Sequence, residues 1–195
     1  REVTRYHGII LCFDEVQCGY GRTGSLFHYQ NINIEPDMLT CAKAMGNGFP
    51  IAACLVKDYI AETVTPGTHG STYGGNPLAM TVGNAVLDIM LQEGFFENIQ
   101  KVGKYFKNKL LYLSKEFPEK ISEVRGEGLL IGIEFTSPIA NNIVNKCLDR
   151  GLILTKVLGD KVIRITPPLI IGFEHVDFAC DILHDVILKL NVFKN

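Results

Sequence analysis

The spacing of hydrophobic positions changes near the middle of the chain. In the first half, short apolar runs occur at residues 8–13, 37–40 and 51–56, and glycine-rich segments separate them. Continuous apolar runs of this length are typical of strands that are buried on both faces, as in parallel sheets. We therefore predict three buried strands, with loops at residues 42–50 and 63–75.

Two helices are predicted to follow these strands. Asn76 and Pro77 form a typical helix start, with asparagine as the N-cap and proline at the first helical position. The apolar residues of the first helix recur at helical spacing: Leu78, Val82, Ala85, Val86 and Ile89. Those of the second helix lie on one face: Ile99, Val102, Phe106, Leu110, Leu113 and Phe117. This second helix is expected to end before Pro118.

The rest of the chain alternates short strands with helices. We predict strands at residues 121–125, 129–135, 152–155 and 161–165, and helices at residues 138–150 and 174–190. The last helix carries one apolar side, formed by Ala179, Ile182, Leu183, Val186, Ile187 and Leu190. The pattern thus predicts two domains, an α/β layer over residues 1–93 and a small α+β domain over residues 94–195.

Composition restricts the possible functions. The 195 residues are 47% hydrophobic and 21% charged, as in an ordinary globular protein, and the net charge of −2 offers no basic surplus for nucleic acid. No apolar run is long enough to predict a membrane span. The six cysteines form no CxxC pair, and histidine-based zinc patterns are absent. Buried free thiols in a cytoplasmic, reducing compartment, without a metal site, explain this pattern best.

Lys43 is the first candidate for chemistry. It lies between two apolar runs in a segment almost free of charge, followed by Gly46, Gly48 and Pro50. Because burial of an ammonium group is costly, a lysine that is shielded from water tends to lose its proton. A neutral amine is the nucleophile that forms a Schiff base with an aldehyde. A partly exposed structural lysine remains the alternative interpretation.

Asp14 is the second candidate, because it ends the first predicted strand, where α/β sheets place functional residues. An aspartate that faces a pyridine nitrogen keeps that nitrogen protonated, so the ring accepts electrons. Residues 19–24 also match the GxGxxG pattern of nicotinamide-binding domains. That alternative requires a helix directly after Gly24, and the sequence there shows no helical stripe.

Two further segments suggest binding of anions. Residues 69–77 are rich in hydroxyl groups and glycines just before a helix start, where backbone amides favour a phosphate. Arg164 lies inside the apolar run of residues 162–168, and an arginine in such a place needs a carboxylate partner. That partner is either internal or the carboxylate of a substrate.

These segments together resemble the class III, fold type I aminotransferases that depend on pyridoxal 5'-phosphate (PLP), most of all the acetylornithine and ornithine enzymes. The resemblance is carried by residues 13–24, 42–51, 69–77 and 163–169, and it extends from about Gly8 to Leu190. It implies a large α/β domain with a mostly parallel sheet, of which residues 1–93 are the C-terminal part, and a small C-terminal domain.

The resemblance also implies roles for individual residues. Lys43 would bind the cofactor covalently and transfer protons, and Asp14 would pair with the pyridine nitrogen. Gln17 would lie near the phenolic oxygen of the cofactor. Thr72 would reach the cofactor phosphate of a neighbouring subunit in a homodimer with shared sites, and Arg164 would hold the substrate carboxylate.

Family members are about twice as long as this chain, and the first residue is Arg1 rather than methionine. We therefore expect a C-terminal half that needs an N-terminal half to complete the phosphate site and the substrate pocket. The predicted reaction is transamination between N-acetylornithine, or a similar ω-amine, and 2-oxoglutarate. The alternatives are an ornithine or 4-aminobutyrate aminotransferase, and a truncated or split-gene fragment without activity of its own.

Overall fold

The computed structural model describes residues 1–157 and 159–190, which divide into two compact units. The first unit comprises Arg1–Phe96 and the second Glu97–Asn195. The sequence placed a domain boundary after Glu93, which lies just before helix α5 (Phe95–Glu116). Among the described residues, no helix is both long enough and apolar enough to cross a membrane.

The first unit contains a three-stranded sheet with short helices around it. Its helices are α1 (Glu2–Tyr6), α2 (Tyr29–Ile32), α3 (Asp58–Ala61) and α4 (Pro77–Met90), and its strands are β1 (Cys12–Asp14), β2 (Met38–Cys41) and β3 (Ala53–Val56). The strand order is β1-β2-β3. Strands β1 and β2 are parallel, whereas β2 and β3 are antiparallel, so the parallel arrangement that we predicted does not extend to the third strand.

The predicted burial of the first apolar run is wrong for this chain. Ile9 and Ile10 are 56% and 48% exposed. Leu55 in β3, which belongs to the third apolar run, is also exposed. Among the described strands, β1 is hydrogen-bonded to β2 alone and is therefore an edge strand of this sheet. The small core of the unit lies instead around Tyr20, Leu39, Cys41 and Met90.

Helix α4 begins where the sequence predicts. The side-chain oxygen of Asn76 accepts hydrogen bonds from the backbone N–H groups of Leu78 and Ala79, and Pro77 occupies the first turn. The predicted apolar stripe is only partly correct, because Val82 and Val86 are partly buried whereas Leu78, Ala85 and Ile89 are exposed. The residues of this helix that are buried form a neighbouring stripe: Ala79, Gly83 and Met90.

The second unit packs helices against a four-stranded sheet. Its strands are β4 (Ile121–Glu127), β5 (Leu130–Phe135), β6 (Thr155–Lys156) and β7 (Val162–Ile165), and its helices besides α5 are α6 (Ala140–Leu148) and α7 (Phe173–Leu188). The strand order is β4-β5-β7-β6, and every neighbouring pair is antiparallel. All the strands and helices predicted from residue 97 onward are present, with ends shifted by a few residues.

The core of the second unit agrees closely with the predicted helix faces. All six predicted core residues on α5 and its end are buried, and so are all six on α7 and its end. Helix α5 lies close to the turn between β4 and β5, where a side chain at Gly103 would meet the backbone of Gly128 at 2.5 Å. The six cysteines are all free, but only Cys41 and Cys147 are buried, so the predicted burial of the thiols is wrong for the exposed Cys12 and Cys54.

Candidate active site

Asp14 is the last residue of β1, and its carboxylate is exposed at the carboxyl end of the parallel strand pair. One of its oxygens accepts hydrogen bonds from the backbone N–H of Val16 and from the hydroxyl of Thr40, both at 3.0 Å. Together with the positive charge of Lys43, these two donors hold the pKa of Asp14 below its usual range. Asp14 is therefore a fixed anion at neutral pH.

Lys43 follows the neighbouring strand, three residues after Thr40, which is paired with Asp14 in the parallel register. It begins a short 3₁₀ helix (Lys43–Met45), and its backbone has a positive φ of 45°. Few residues other than glycine adopt this left-handed conformation, and such strain is concentrated at functional sites. The topology thus brings the predicted amine and the predicted carboxylate to the same edge of the sheet.

The predicted shielding of Lys43 from water is wrong for this chain, because its side chain is exposed. The loop that carries it also exposes Asn47, Gly48 and Pro50, and the described residues provide no cover over this end of the strands. A low local dielectric at the amine therefore does not follow from the residues described here. What the structure provides is the position of the amine relative to Asp14.

The segment between β1 and β2 does not form a nicotinamide-binding turn. Residues 25–28 are bends and turns, and helix α2 begins only at Tyr29 and has four residues. A dinucleotide fold requires a helix to open directly at the glycine motif. The alternative of a nicotinamide-binding domain is therefore removed.

This segment folds instead around Glu15, a residue to which the sequence assigned no function. The Glu15 side chain is buried, and its two carboxylate oxygens accept hydrogen bonds from the backbone N–H groups of His28 at 2.6 Å and Tyr29 at 2.8 Å. Side chains alternate between the two faces of an extended segment. The residue directly after the exposed Asp14 is therefore expected to face inward. That alternation is the signal in the sequence that could have identified Glu15.

Gln17 and Thr72 are both exposed. Gln17 lies in the turn that follows β1, three residues after Asp14, and Thr72 lies in the loop between α3 and α4. The roles predicted for them involve a cofactor and a neighbouring subunit. Both roles stay predictions.

Arg164 belongs to the second unit, where it lies on β7 opposite Gly132 of β5 and Thr155 of β6. Its side chain is partly buried, whereas the flanking Ile163 and Ile165 are part of the core. Arg164 also lines a largely apolar cavity of about 420 Å³ together with Thr155 and the segment from Ile165 to Pro168. A guanidinium at the edge of an apolar cavity is suited to bind a carboxylate.

An ionised carboxylate and a primary amine at one sheet edge have a definite chemical capacity. The carboxylate of Asp14 can hold a protonated ring nitrogen, and the amine of Lys43 can attack a carbonyl carbon. Both groups are accessible from solvent in the described chain, so neither needs a rearrangement of the fold to meet a ligand.

Comparisons with known proteins give a consistent result. The family model described as aminotransferase class-III matches residues 1–187. An acetylornithine aminotransferase from Mesorhizobium japonicum is 46% identical over 169 residues, which cover 87% of this chain and 42% of that protein. The chain spans about half the length of the curated relatives that it matches.

Solved structures agree in fold as well. An acetylornithine aminotransferase from Elizabethkingia anophelis superposes with a TM-score of 0.90 at 34% identity, over 97% of this chain and 48% of that one. An ornithine aminotransferase from Plasmodium yoelii superposes with a TM-score of 0.89 at 38% identity, over 96% of this chain and 50% of that one. The predicted fold class is therefore confirmed, and the chain belongs to the class III aminotransferases.

Proposed function

We propose that the complete protein is a PLP-dependent aminotransferase that transfers the amino group of N-acetylornithine, or of a similar ω-amine, to 2-oxoglutarate. The observation that carries this proposal is the placement of Asp14 and Lys43 at the ends of two parallel strands that are paired in register. Family membership supports the reaction type, and the acetylornithine aminotransferases among the relatives support the amino donor.

The residues present fit PLP. Two hydrogen-bond donors and a nearby cation keep Asp14 ionised, as pairing with a protonated pyridine nitrogen requires. Lys43 presents a primary amine at the same edge of the sheet. When bound, PLP supplies an aldehyde for covalent attachment of amines and a ring that accepts an electron pair.

The remaining steps belong to side chains of this chain. Lys43 would hold the cofactor covalently and would move a proton between a carbon of the substrate and a carbon of the cofactor, as a positioned general base and acid. Asp14 would keep the ring nitrogen protonated. In the same proposal Gln17 contacts the phenolic oxygen, and Arg164 binds the substrate α-carboxylate with its planar fork.

The proposed active unit is a homodimer in which Thr72 contacts the cofactor phosphate of the neighbouring subunit. We also propose that an N-terminal half supplies most of the phosphate site, because Asp14, Lys43 and Thr72 are all exposed in this chain. On this view the chain by itself has little or no activity. The cytoplasmic location expected from the cysteine spacing stays a prediction.

Covalent labelling tests the proposal. The complete protein is incubated with PLP, reduced with sodium borohydride and digested, and the pyridoxyl group is located by mass spectrometry. We expect it on Lys43 in the wild type and in a Lys57→Arg control, and we expect no label at this position in Lys43→Arg. Label on other lysines only would overturn the proposed role of Lys43.

A second assay addresses the amino donor. Ornithine aminotransferases are among the similar solved structures, so ornithine is the main competitor of N-acetylornithine to test. We expect kcat/KM with 2-oxoglutarate as acceptor to be highest for N-acetylornithine when ornithine and 4-aminobutyrate are compared under the same conditions. The same assay on this chain by itself, and on this chain combined with the N-terminal half, measures how far activity depends on that half.

A further inference from the structure

Asp14 and Glu15 are neighbouring carboxylates with opposite surroundings. The Asp14 carboxylate is exposed at the end of β1, whereas Glu15 is only 3% exposed. A buried carboxylate is costly unless hydrogen bonds replace its water. Glu15 meets this requirement with backbone donors, because each of its two oxygens accepts one N–H group, from His28 and from Tyr29.

The main chain of Glu15 is fixed as firmly as its side chain. Its N–H donates to the carbonyl of Thr40 at 2.9 Å, and its carbonyl accepts from the N–H of Gly19 at 3.0 Å. A side chain at Gly19 would approach the Glu15 carbonyl oxygen to 2.8 Å and one carboxylate oxygen to 3.3 Å. The turn of residues 15–19 is therefore closed tightly around Glu15.

The same turn sets the direction of the Asp14 carboxylate. Asp14 accepts a hydrogen bond from the N–H of Val16, the residue directly after Glu15, and another from the hydroxyl of Thr40. Rotation of the main chain at Glu15 would move the Val16 donor away from Asp14. It would also reorient Gln17, which lies in the same turn.

We propose that Glu15 is a positioning residue for the cofactor site, which holds Asp14 in the direction needed to face the pyridine nitrogen. This inference rests on the proposed function. Glu15 acts through the main chain from the buried side of the strand. Its carboxylate ties the end of β1 to residues 28 and 29, and thereby fixes the turn that presents Asp14 and Gln17.

The test uses the complete protein with PLP labelled with ¹⁵N in its ring, and compares three variants. Glu15→Gln replaces one acceptor oxygen with an NH₂ group that faces a backbone N–H, so one hydrogen bond is lost and two donors are opposed. Glu15→Asp keeps the charge but is too short to reach both donors. Asp37→Asn is the matched control, because Asp37 is also buried in the first unit and also accepts a backbone N–H, from Leu11.

We expect the ¹⁵N resonance of the ring in Glu15→Gln to shift toward that of a neutral pyridine, and the dissociation constant of PLP to rise about 10- to 100-fold, the range found when outer hydrogen-bond partners of metal sites are removed. Glu15→Asp should change both quantities in the same direction by less, and it carries the test if Glu15→Gln does not fold. Asp37→Asn should lower the melting temperature but leave the ¹⁵N resonance unchanged.

The outcomes separate the two proposals. If borohydride labels Lys43 in the wild type but the Glu15 variants keep the wild-type ¹⁵N resonance and PLP affinity, the role of Glu15 is overturned and the proposed function stands. An equal shift in Asp37→Asn would reduce Glu15 to a general stabilising residue and also overturn the inference. If the wild type is not labelled at Lys43, both proposals fail.

Discussion

The hydroxyl of Thr40 on β2 donates a hydrogen bond of 3.0 Å to the carboxylate of Asp14 on the neighbouring parallel strand. The bond joins the two strands at the point from which both candidate active-site residues emerge. It also stabilises the charged form of Asp14 relative to the neutral form, so it contributes to the lowered pKa of this group after the N–H of Val16.

Replacement of Thr40 by valine should therefore raise the pKa of Asp14. Valine keeps the branched shape that suits the strand but removes the donor, whereas Thr40→Ser keeps a hydroxyl in nearly the same place. The carboxyl ¹³C resonance of Asp14, followed by NMR titration, measures the effect. An unchanged midpoint in Thr40→Val would show that this hydrogen bond does not influence Asp14 in solution.

Asp37 is predicted to make the stability of the first unit dependent on acid. The Arg1 guanidinium, followed by the N–H of Leu11, holds the pKa of Asp37 far below its usual range. Because the folded-state pKa is lowered, the stabilisation is complete above the ordinary aspartate pKa near 3.8 and is lost as the pH falls through the folded value.

The loss of unfolding free energy caused by Asp37→Asn should accordingly be large at neutral pH and shrink below about pH 4. Urea unfolding of the wild type and the variant, followed at neutral pH and below about pH 4, measures this difference. A mutational effect of the same size at both would show that the charge of Asp37 is not the source of the stabilisation.

Gly103 on α5 should not tolerate alanine. The added methyl carbon would lie 2.5 Å from the carbonyl oxygen of Gly128, and main-chain atoms cannot swing aside as a flexible side chain can. Overpacking of this kind typically costs about 1–3 kcal/mol. Gly132→Ala is the matched control, because beyond its two chain neighbours its methyl group would meet no atom closer than 3.8 Å. Equal melting temperatures for the two variants would contradict this prediction.

His184 on α7 is predicted to titrate above the usual range for histidine. Its Nε2 lies 2.9 Å from a carboxylate oxygen of Glu116 on α5, and this hydrogen bond is the main reason that the pKa of His184 is raised. Because the folded-state pKa is raised, the stabilisation is complete at pH values below the ordinary pKa and is lost as the pH rises through the folded value.

Glu116→Gln should lower the pKa of His184 toward 6.5, as measured by NMR titration of the imidazole, whereas Glu119→Gln should not. The effect on stability should be small, about 0.5 kcal/mol or less, because both partners are more than a third exposed. A titration midpoint that is the same in all three proteins would contradict the assignment of Glu116 as the partner.

The two halves of the chain differ in how well their hydrophobic pattern predicts burial. The faces of α5 and α7 were predicted correctly because these helices pack within a unit that contains both sides of its own core. The prediction was wrong for the run at Ile9 and for part of the stripe on α4, because a hydrophobic pattern reflects every surface that covers an element in the complete fold. Such surfaces need not be part of the described residues.

The candidate site shows a similar division. The motifs identified Asp14 and Lys43, and strand pairing explains why residues 29 positions apart lie at one sheet edge. The contribution of Thr40 depended on which residue of β2 is paired with Asp14, and this register was not predicted from the sequence. The exposure of Lys43 was also beyond the sequence, because burial depends on what lies above the loop.

The left-handed backbone at residue 43 favours glycine or asparagine, whereas the proposed chemistry requires the amine of a lysine at this position. Glycine or asparagine adopts this conformation more readily than lysine does. A substitution by glycine should therefore relax the loop while removing the only primary amine that the segment from β2 to β3 contains. Selection for thermal stability alone would therefore favour glycine or asparagine at position 43. Retention of lysine there would indicate selection for catalytic turnover.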